Sequence, residues 1–377
     1  MSEKDDGNSL DASTEKNLIY LLSCAVNEAV PDAQRMQGMD LPALYREANR
    51  HMVAATVAFA LESAGISDPS FKQAKAKAIR KMAIMDAEQV QILSCLEEAG
   101  IWYLPLKGAV LKDLYPAFGM RQMSDRDILV DPDRMEDVKV IMEGLGFTAE
   151  HYGEHHHDCY VKPPVSNFEM HHRLFGGMQG KQINAYYSDV KSRLVKDKDN
   201  SYGWHFSPED FYLHMTTHEY KHFVSAGTGL RSLLDTYVYL KNVAMNMDYV
   251  TSEAEKLGIA AFERENRMLS QALFIGRALT EQEAHMLRRF VRSGTYGNYS
   301  FFGENQLTEK GRWKYFLSRL TLPYDVMCDA FPVLKKVPVL YPAVWVYRLV
   351  AAVLLRSGNV WRQMRAMLNW KGNGKSS

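Results

Sequence analysis

The sequence predicts an α+β fold, in which a small mixed β-sheet core is flanked by N-terminal and C-terminal α-helical regions. Three observations predict it. Apolar residues recur at helical spacing over residues 14–100, short apolar or alternating stretches crowd residues 101–205, and helical spacing returns over residues 206–377. The chain has 377 residues, 46% of them hydrophobic and 24% charged, so it is long enough to bury a core without cross-links. This excludes a collagen, a disulfide scaffold and a wholly disordered chain. Cys24, Cys95, Cys159 and Cys328 lie far apart and form no CxxC pair. That fits a reducing compartment and argues against a structural zinc knuckle.

Residues 1–13 (MSEKDDGNSLDAS) are acidic and lack the apolar stretch of a secretory signal, so they read as a disordered tail. Residues 15–30 carry Leu18, Leu21, Leu22 and Val26 on one helical stripe, and residues 41–64 and 71–99 repeat that spacing. Asp40 and Ser70 are expected N-caps, and Gly65 and Gly100 expected stops. The texture changes at Ile101. Residues 101–106 (IWYLPL) read as a buried strand, Lys107-Gly108 as a turn, residues 109–115 as a helix halted by Pro116, and residues 117–123 as a loop. Residues 124–130 (SDRDILV) read as a strand, and residues 131–145 as a helix with Pro132 in its first turn. Residues 148–151, 158–162 and 167–175 (NFEMHHRLF) are further strand candidates. Helices resume at residues 209–223 and 230–243.

Asp125 and Asp127 are the most informative residues. On a strand, side chains at i and i+2 share a face, so two carboxylates stand side by side. They repel unless a cation lies between them, and hard divalent ions such as Mg²⁺ take such ligands. The alternative is two surface acids at a sheet edge. The turn at Lys107-Gly108 leads into a helix N-terminus and brings a cation, a combination suited to phosphate. Arg121, just before the acidic strand, could meet a triphosphate with two donors. On residues 167–175, alternation puts Glu169, His171 and Arg173 on one face and Phe168, Met170, His172 and Leu174 on the other. The polar face either lines a site or faces solvent at an edge.

Taken together, LPLKGAVLKDLYP, RQMSDRDILV and FEMHHRLF resemble the nucleotidyltransferase superfamily related to DNA polymerase β, and more narrowly its uncharacterised bacterial branch. That branch has Lys-Gly where most of the superfamily has Gly-Ser or Gly-Gly. The resemblance runs on into LHMTTHEYKH and GLRSLLD and covers residues 95–360, with the specific motifs inside 104–175. It implies a nucleotidyltransferase core at residues 101–205, a bound nucleoside triphosphate and two Mg²⁺ ions, for which Mn²⁺ could substitute. On the matching positions, Asp125 and Asp127 would hold both ions. Glu169 would hold one of them and assist the attacking hydroxyl. Lys107 and Gly108 would face the phosphates, with Arg121 and His171 completing the nucleotide-binding set. The implied activity is Mg-dependent transfer of a nucleoside monophosphate to a hydroxyl of an unidentified acceptor, whether a small molecule, a sugar, a protein or a nucleic-acid end. The alternatives are a nucleotide-binding pseudoenzyme and a helical interaction or membrane-peripheral protein.

Arg126 departs from the pattern, because the residue between the two acids is usually apolar in that superfamily. Its side chain should face the helical layer, either snorkelling to solvent or marking a less buried strand. Because crowded like charges repel, removing one carboxylate should leave the metal-free protein at least as stable.

Other clusters carry weaker signals. His151, His155, His156 and His157 adjoin Asp158 and Cys159, a set that could bind zinc or form a polar loop at the substrate mouth. Consecutive histidines on a strand would point their rings apart. His214, His218 and His222 share a helix face but lack the HExxH pattern, and they should line the cleft or pack on the sheet. Arg231 and Asp235, four apart, are expected to pair. Residues 310–377 hold 12 Lys/Arg and 2 Asp/Glu, while residues 1–309 hold 33 and 43. Trp345, Trp361 and Trp370 alternate there with Arg348, Arg356, Arg362 and Arg365. This is either an ordinary cationic face or a weak contact with a membrane surface. Prolines and Arg348 interrupt the longest apolar run, residues 337–355, so no transmembrane helix is expected and the expected location is the cytoplasm.

Overall fold

A computed structural model describes residues 12–150, 152–153, 156–176, 180–295, 321–322, 324, 327–328, 331 and 333–355. The helices before the sheet are α1 (Ala12–Val26), α2 (Ala33–Met36), α3 (Leu41–Arg50), α4 (Ala54–Ser63) and α5 (Pro69–Glu98). The stripe of Leu18, Leu21, Leu22 and Val26 is fully buried. Asp40 caps α3 by accepting from the Ala43 amide at 2.9 Å. The expected cap at Ser70 is instead Asp68, whose Oδ1 accepts from Ser70 and Phe71. Pro69 has no amide hydrogen and a preset φ, so it opens the helix and the cap lies two residues earlier. The single helix expected at residues 41–64 breaks at His51-Met52, where Met52 has φ +53°. His51 is buried there, and its Nδ1 accepts from the Leu230 amide at 3.1 Å. A contact formed so far along the chain leaves no local signal.

The sheet has five strands, β1 (Tyr103–Pro105), β2 (Arg126–Val130), β3 (Thr148–Glu150), β4 (His157–Lys162) and β5 (Ser166–His171), in the order β1-β2-β5-β4-β3. Only the β2–β5 pair is parallel, and the sheet is therefore mixed. Strand β2 starts at Arg126, so Asp125 lies just before it. Strand β5 ends at His171, so the expected alternation stops there and His172–Phe175 bend away. Helices α6 (Gly108–Leu111) and α7 (Met135–Gly144) are shorter than expected, each extended by a 3₁₀ turn. A two-stranded ribbon, β6 (Leu194–Lys196) and β7 (Trp204–Phe206), has too little alternation to be read from sequence.

One sheet face is apolar. Ile128, Val130, Phe168, Met170 and Tyr160 pack there on Met85, Ile92 and Leu96 of α5 and on Val138 and Met142 of α7. Arg126 belongs to this face and is 1% exposed, and every residue of β2 is buried. It neither snorkels nor marks an exposed strand. Its guanidinium pairs with Asp86 and donates to Gln89 Oε1 at 2.6 Å, both on α5.

Helices α8 (Lys181–Tyr186), α9 (Pro208–Val224), α10 (Leu230–Asn242), α11 (Met247–Leu257), α12 (Ala260–Ile275) and α13 (Glu281–Ser293) follow. Phe211, Tyr212 and Leu213 of α9 join Leu104, Leu106 and Leu129 in a second core on the other sheet face. A third core unites α1, α3 and α4 with α10, α12 and α13. Helices that precede the sheet and helices that follow it thus share one interior. Among the described residues, no helix is long and apolar enough to cross a membrane. Trp345 and Arg348 lie on the helix Tyr341–Leu355. His151, His155, Arg356, Trp361, Arg362, Arg365 and Trp370, and residues 1–11 of the acidic tail, lie outside the described residues.

Asp86→Ala should strand a buried guanidinium and lower stability by about 3 kcal/mol. Gln89→Ala removes only one neutral acceptor and should cost about 1 kcal/mol. Urea denaturation of the two variants tests the order, and equal losses would show that the ion pair contributes nothing specific.

Candidate active site

Strand register builds the site. Asp127 on β2 lies opposite Glu169 on β5, and Glu169 lies opposite Cys159 on β4. The next row is Leu129, His171 and His157. Of these, Asp127, Glu169, His171 and His157 line a cavity of about 340 Å³, which Asp125 also borders. This volume is within the range of small-molecule sites. The structure therefore brings Asp125, Asp127, Glu169 and His171 to one cavity wall.

Asp127 is buried and intimately compensated. Lys107 Nζ lies 3.2 Å from its Oδ2, and His171 Nε2 lies 3.0 Å from its Oδ1. Burial alone would raise the Asp127 pKa, but Lys107 and His171 overcome it and hold the carboxyl well below its ordinary range. His171 Nε2 is also 3.4 Å from Glu169 Oε2. These two carboxylates raise the His171 pKa against the opposing effect of burial. Asp125 behaves oppositely. Burial, then the charges of Asp127 and Glu169, push its pKa up. Lys81 Nζ donates to the Ser124 carbonyl at 2.6 Å and fixes the approach to Asp125.

Lys107 sits at φ +33°, a strained value for a side-chain-bearing residue. Its ammonium also donates to His218 Nε2 at 3.1 Å. The amides of Ala109, Val110 and Leu111 donate to the carbonyls of Leu106 and Lys107, so this turn offers fewer free donors than expected. Gly108 has a packing role. A Cβ there would come within 2.9 Å of Arg121 Nη1 and 3.2 Å of Met123 Sδ.

Arg121 borders the cavity, but it is held by another group. Its Nε and Nη2 donate to the two oxygens of Asp235 at 2.7 and 2.9 Å, and Tyr115 Oη donates to the same carboxylate at 2.7 Å. The expected Arg231–Asp235 pair is thus replaced by Arg121–Asp235, and the bidentate fork expected for phosphate is already occupied. Arg231 instead lines the cavity and donates to the Gln122 carbonyl at 3.1 Å.

The opposite wall comes from α9 and α10. His214, His218 and His222 all reach the cavity, joined by Lys221. Burial, then Lys107, depresses the His214 pKa to about 3 and the Lys221 pKa to about 8. The imidazoles here are neutral. The structure also brings His156 and His157 to the cavity, so this pair is part of the site lining. Sequence reasoning missed Lys221, Arg231 and Glu219. Only their spacing on a helix that returns to the sheet could have pointed to them.

A sequence model described as "Uncharacterised nucleotidyltransferase" matches residues 37–275. The chain belongs to this family. The match begins well before residue 95 and ends before 360, so the uncharacterised nucleotidyltransferase family includes the helices α3–α5 ahead of the sheet and stops at α12. No curated protein and no solved structure matches the chain.

The electrostatics correct the expectation that losing either aspartate relieves repulsion. Lys107 and His171 compensate Asp127, whereas at Asp125 burial and the charges of Asp127 and Glu169 outweigh Lys107 and Arg231. Asp125→Asn should raise the melting temperature of the metal-free protein, whereas Asp127→Asn should lower it by stranding Lys107 and His171. Differential scanning calorimetry in excess chelator reads both changes, and the reverse order would overturn this account of the charges.

Glu219 gives a pH test. Burial raises its pKa to about 8, and its Oε2 accepts from Asn266 and Thr236. Between its ordinary pKa near 4.5 and about 8, the folded state holds a proton that the unfolded state has lost. Stability therefore falls as pH rises through that window. Glu219→Gln should flatten the slope and be the more stable form at pH 8. A slope unchanged in the variant, measured by denaturation at several pH values, would refute the protonated state.

Proposed function

We propose that the chain moves a nucleoside monophosphate from a nucleoside triphosphate to an acceptor hydroxyl, using a polymerase-β-like core. The observation that carries this reading is the two-walled cavity, with Asp125, Asp127 and Glu169 at the sheet, Lys107 beside them on the turn after β1, and Lys221 and Arg231 across from them. A triphosphate needs cationic partners along its chain and counterions against the carboxylates, and such a cavity supplies both.

The residues fit divalent ions. Oxygen donors of Asp127 and Glu169 lie together with His171 within 4.8 Å, Asp125 borders the same cavity, and its elevated proton affinity is one that a bound cation would reverse. Asp125, Asp127 and Glu169 would hold Mg²⁺ or Mn²⁺, two ions being the expected number. When bound, such ions lower the pKa of an attacking hydroxyl and neutralise a leaving pyrophosphate. The chain's own groups do the rest. Lys107 leaves Asp127 for the phosphates, while His218, a neutral acceptor, keeps the ammonium near the cavity. Lys221 and Arg231 meet the outer phosphates. Arg121, locked to Asp235, positions the loop ahead of Asp125. Glu169 orients the acceptor hydroxyl and takes its proton.

One observation favours the nucleotide-binding pseudoenzyme as a second reading. Lys107 and His171 already balance Asp127 without any ion.

Calorimetric titration with each nucleoside triphosphate, in Mg²⁺ and in excess chelator, should show binding only with the cation. Equal affinity in both would end the metal-dependent reading. Incubation with α-labelled nucleotides and cell extract should label an acceptor, and Asp127→Asn should slow labelling by about a thousandfold. Binding without any transferred label would favour the pseudoenzyme. Lys107→Ala should weaken all four nucleotides alike, and a change in base preference instead would remove Lys107 from the phosphates.

A further inference from the structure

We propose that His156, His157 and His171 form a three-imidazole site for a divalent transition ion of the zinc type, set beside the carboxylate wall. The nitrogens of these three residues come within 4.8 Å of one another. Their ring centroids are separated by 4.6 Å (His156–His157), 4.9 Å (His157–His171) and 5.6 Å (His156–His171). Ligands around one tetrahedral ion, with bonds of about 2.0–2.1 Å, lie about 3.4 Å apart. Side-chain shifts of about an ångström would therefore close the set on one ion.

Consecutive histidines on a strand would diverge, and this counted against such a site in the sequence. The fold removes the objection. Strand β4 begins at His157, so His156 lies in the bend before it and is not bound to the opposite face. The third ring comes from β5, where His171 pairs in register with His157.

His171 supplies the second, independent observation. Its Nε2 is engaged by Asp127 and Glu169, yet its Nδ1 is buried without a hydrogen-bond partner. A buried imidazole nitrogen left unsatisfied by the protein calls for a ligand from outside. Imidazole donors suit Zn²⁺, Co²⁺, Ni²⁺ and Fe²⁺, whereas Mg²⁺ prefers oxygen. His171 therefore belongs to both sets, with Nε2 engaged by the carboxylates and Nδ1 left without a protein partner. Three protein ligands leave a fourth position open, as in zinc centres that bind water or substrate. The inference stands whether or not the cavity takes a nucleotide.

The test uses the full chain without an affinity tag, stripped with chelator and then titrated with Zn²⁺ or Co²⁺ alone. Wild type should bind one equivalent, with Co²⁺ giving the intense visible bands of a tetrahedral nitrogen-rich site. His156→Ala and His157→Ala should each weaken binding by about a hundredfold or more and abolish those bands. His156→Gln keeps the result readable if an alanine variant fails to fold. Asp125→Asn should keep Co²⁺ binding while losing Mg²⁺-dependent nucleotide binding, so the two readings fail separately. Co²⁺ affinity and spectrum unchanged in His156→Gln and His157→Ala, or no stoichiometric binding by wild type, would overturn the site.

Discussion

A carboxylate on a strand buried at all five positions is the constraint on which the rest of the structure depends. Asp127 cannot keep its charge there alone, since an unpaired buried ion is far too costly. Lys107 answers from the turn after β1, and His171 from the neighbouring parallel strand. Lys107 reaches Asp127 from a strained backbone conformation, and its ammonium is steadied by His218 on α9. The turn after β1, strand β5 and helix α9 are thus all tied to one oxygen pair.

The same economy appears on the reverse face of β2. Arg126 is a second charge on a buried strand, and α5 supplies Asp86 and Gln89 to meet it. Alternation sends the two charges to opposite faces, so they are compensated independently. Helix α5 secures the sheet from behind while α9 and α10 close the cavity in front. The fork from Arg121 to Asp235 then ties the loop leading into Asp125 to α10.

Much of this was legible in the sequence, for local reasons. The period of two placed Asp127 on one face of its strand and Arg126 on the other. It likewise put Glu169 and His171 together, and the Lys-Gly turn before a short helix was readable from composition. What was not legible depends on distant partners. Arg121 looked like a free cation because its acceptor, Asp235, lies on a helix 114 residues away. The break at His51 depends on Leu230, 179 residues on. His156 and His157 looked divergent because the start of β4 could not be placed to one residue, and a shift of one residue decides which rings meet. The early end of β5 has the same character. His172 and Arg173 donate their amides to the His156 carbonyl, so the bend is fixed by a neighbouring loop and not by its own sequence.

The interior shared by helices far apart in the chain bears on how the molecule comes into being. Ser23 donates to the Phe274 carbonyl across 251 residues, and Tyr237 donates to Asn27 across 210. Helix α1 can pack early on α3 and α4, but it emerges from the ribosome long before α10, α12 and α13, which complete that interior. At about 5–20 residues per second the wait is on the order of 10–50 seconds. During that interval the side of the α1, α3 and α4 cluster that those later helices cover faces water or a chaperone. The five-stranded sheet, whose pairings span far shorter stretches, can assemble meanwhile, leaving the helical interior to close last.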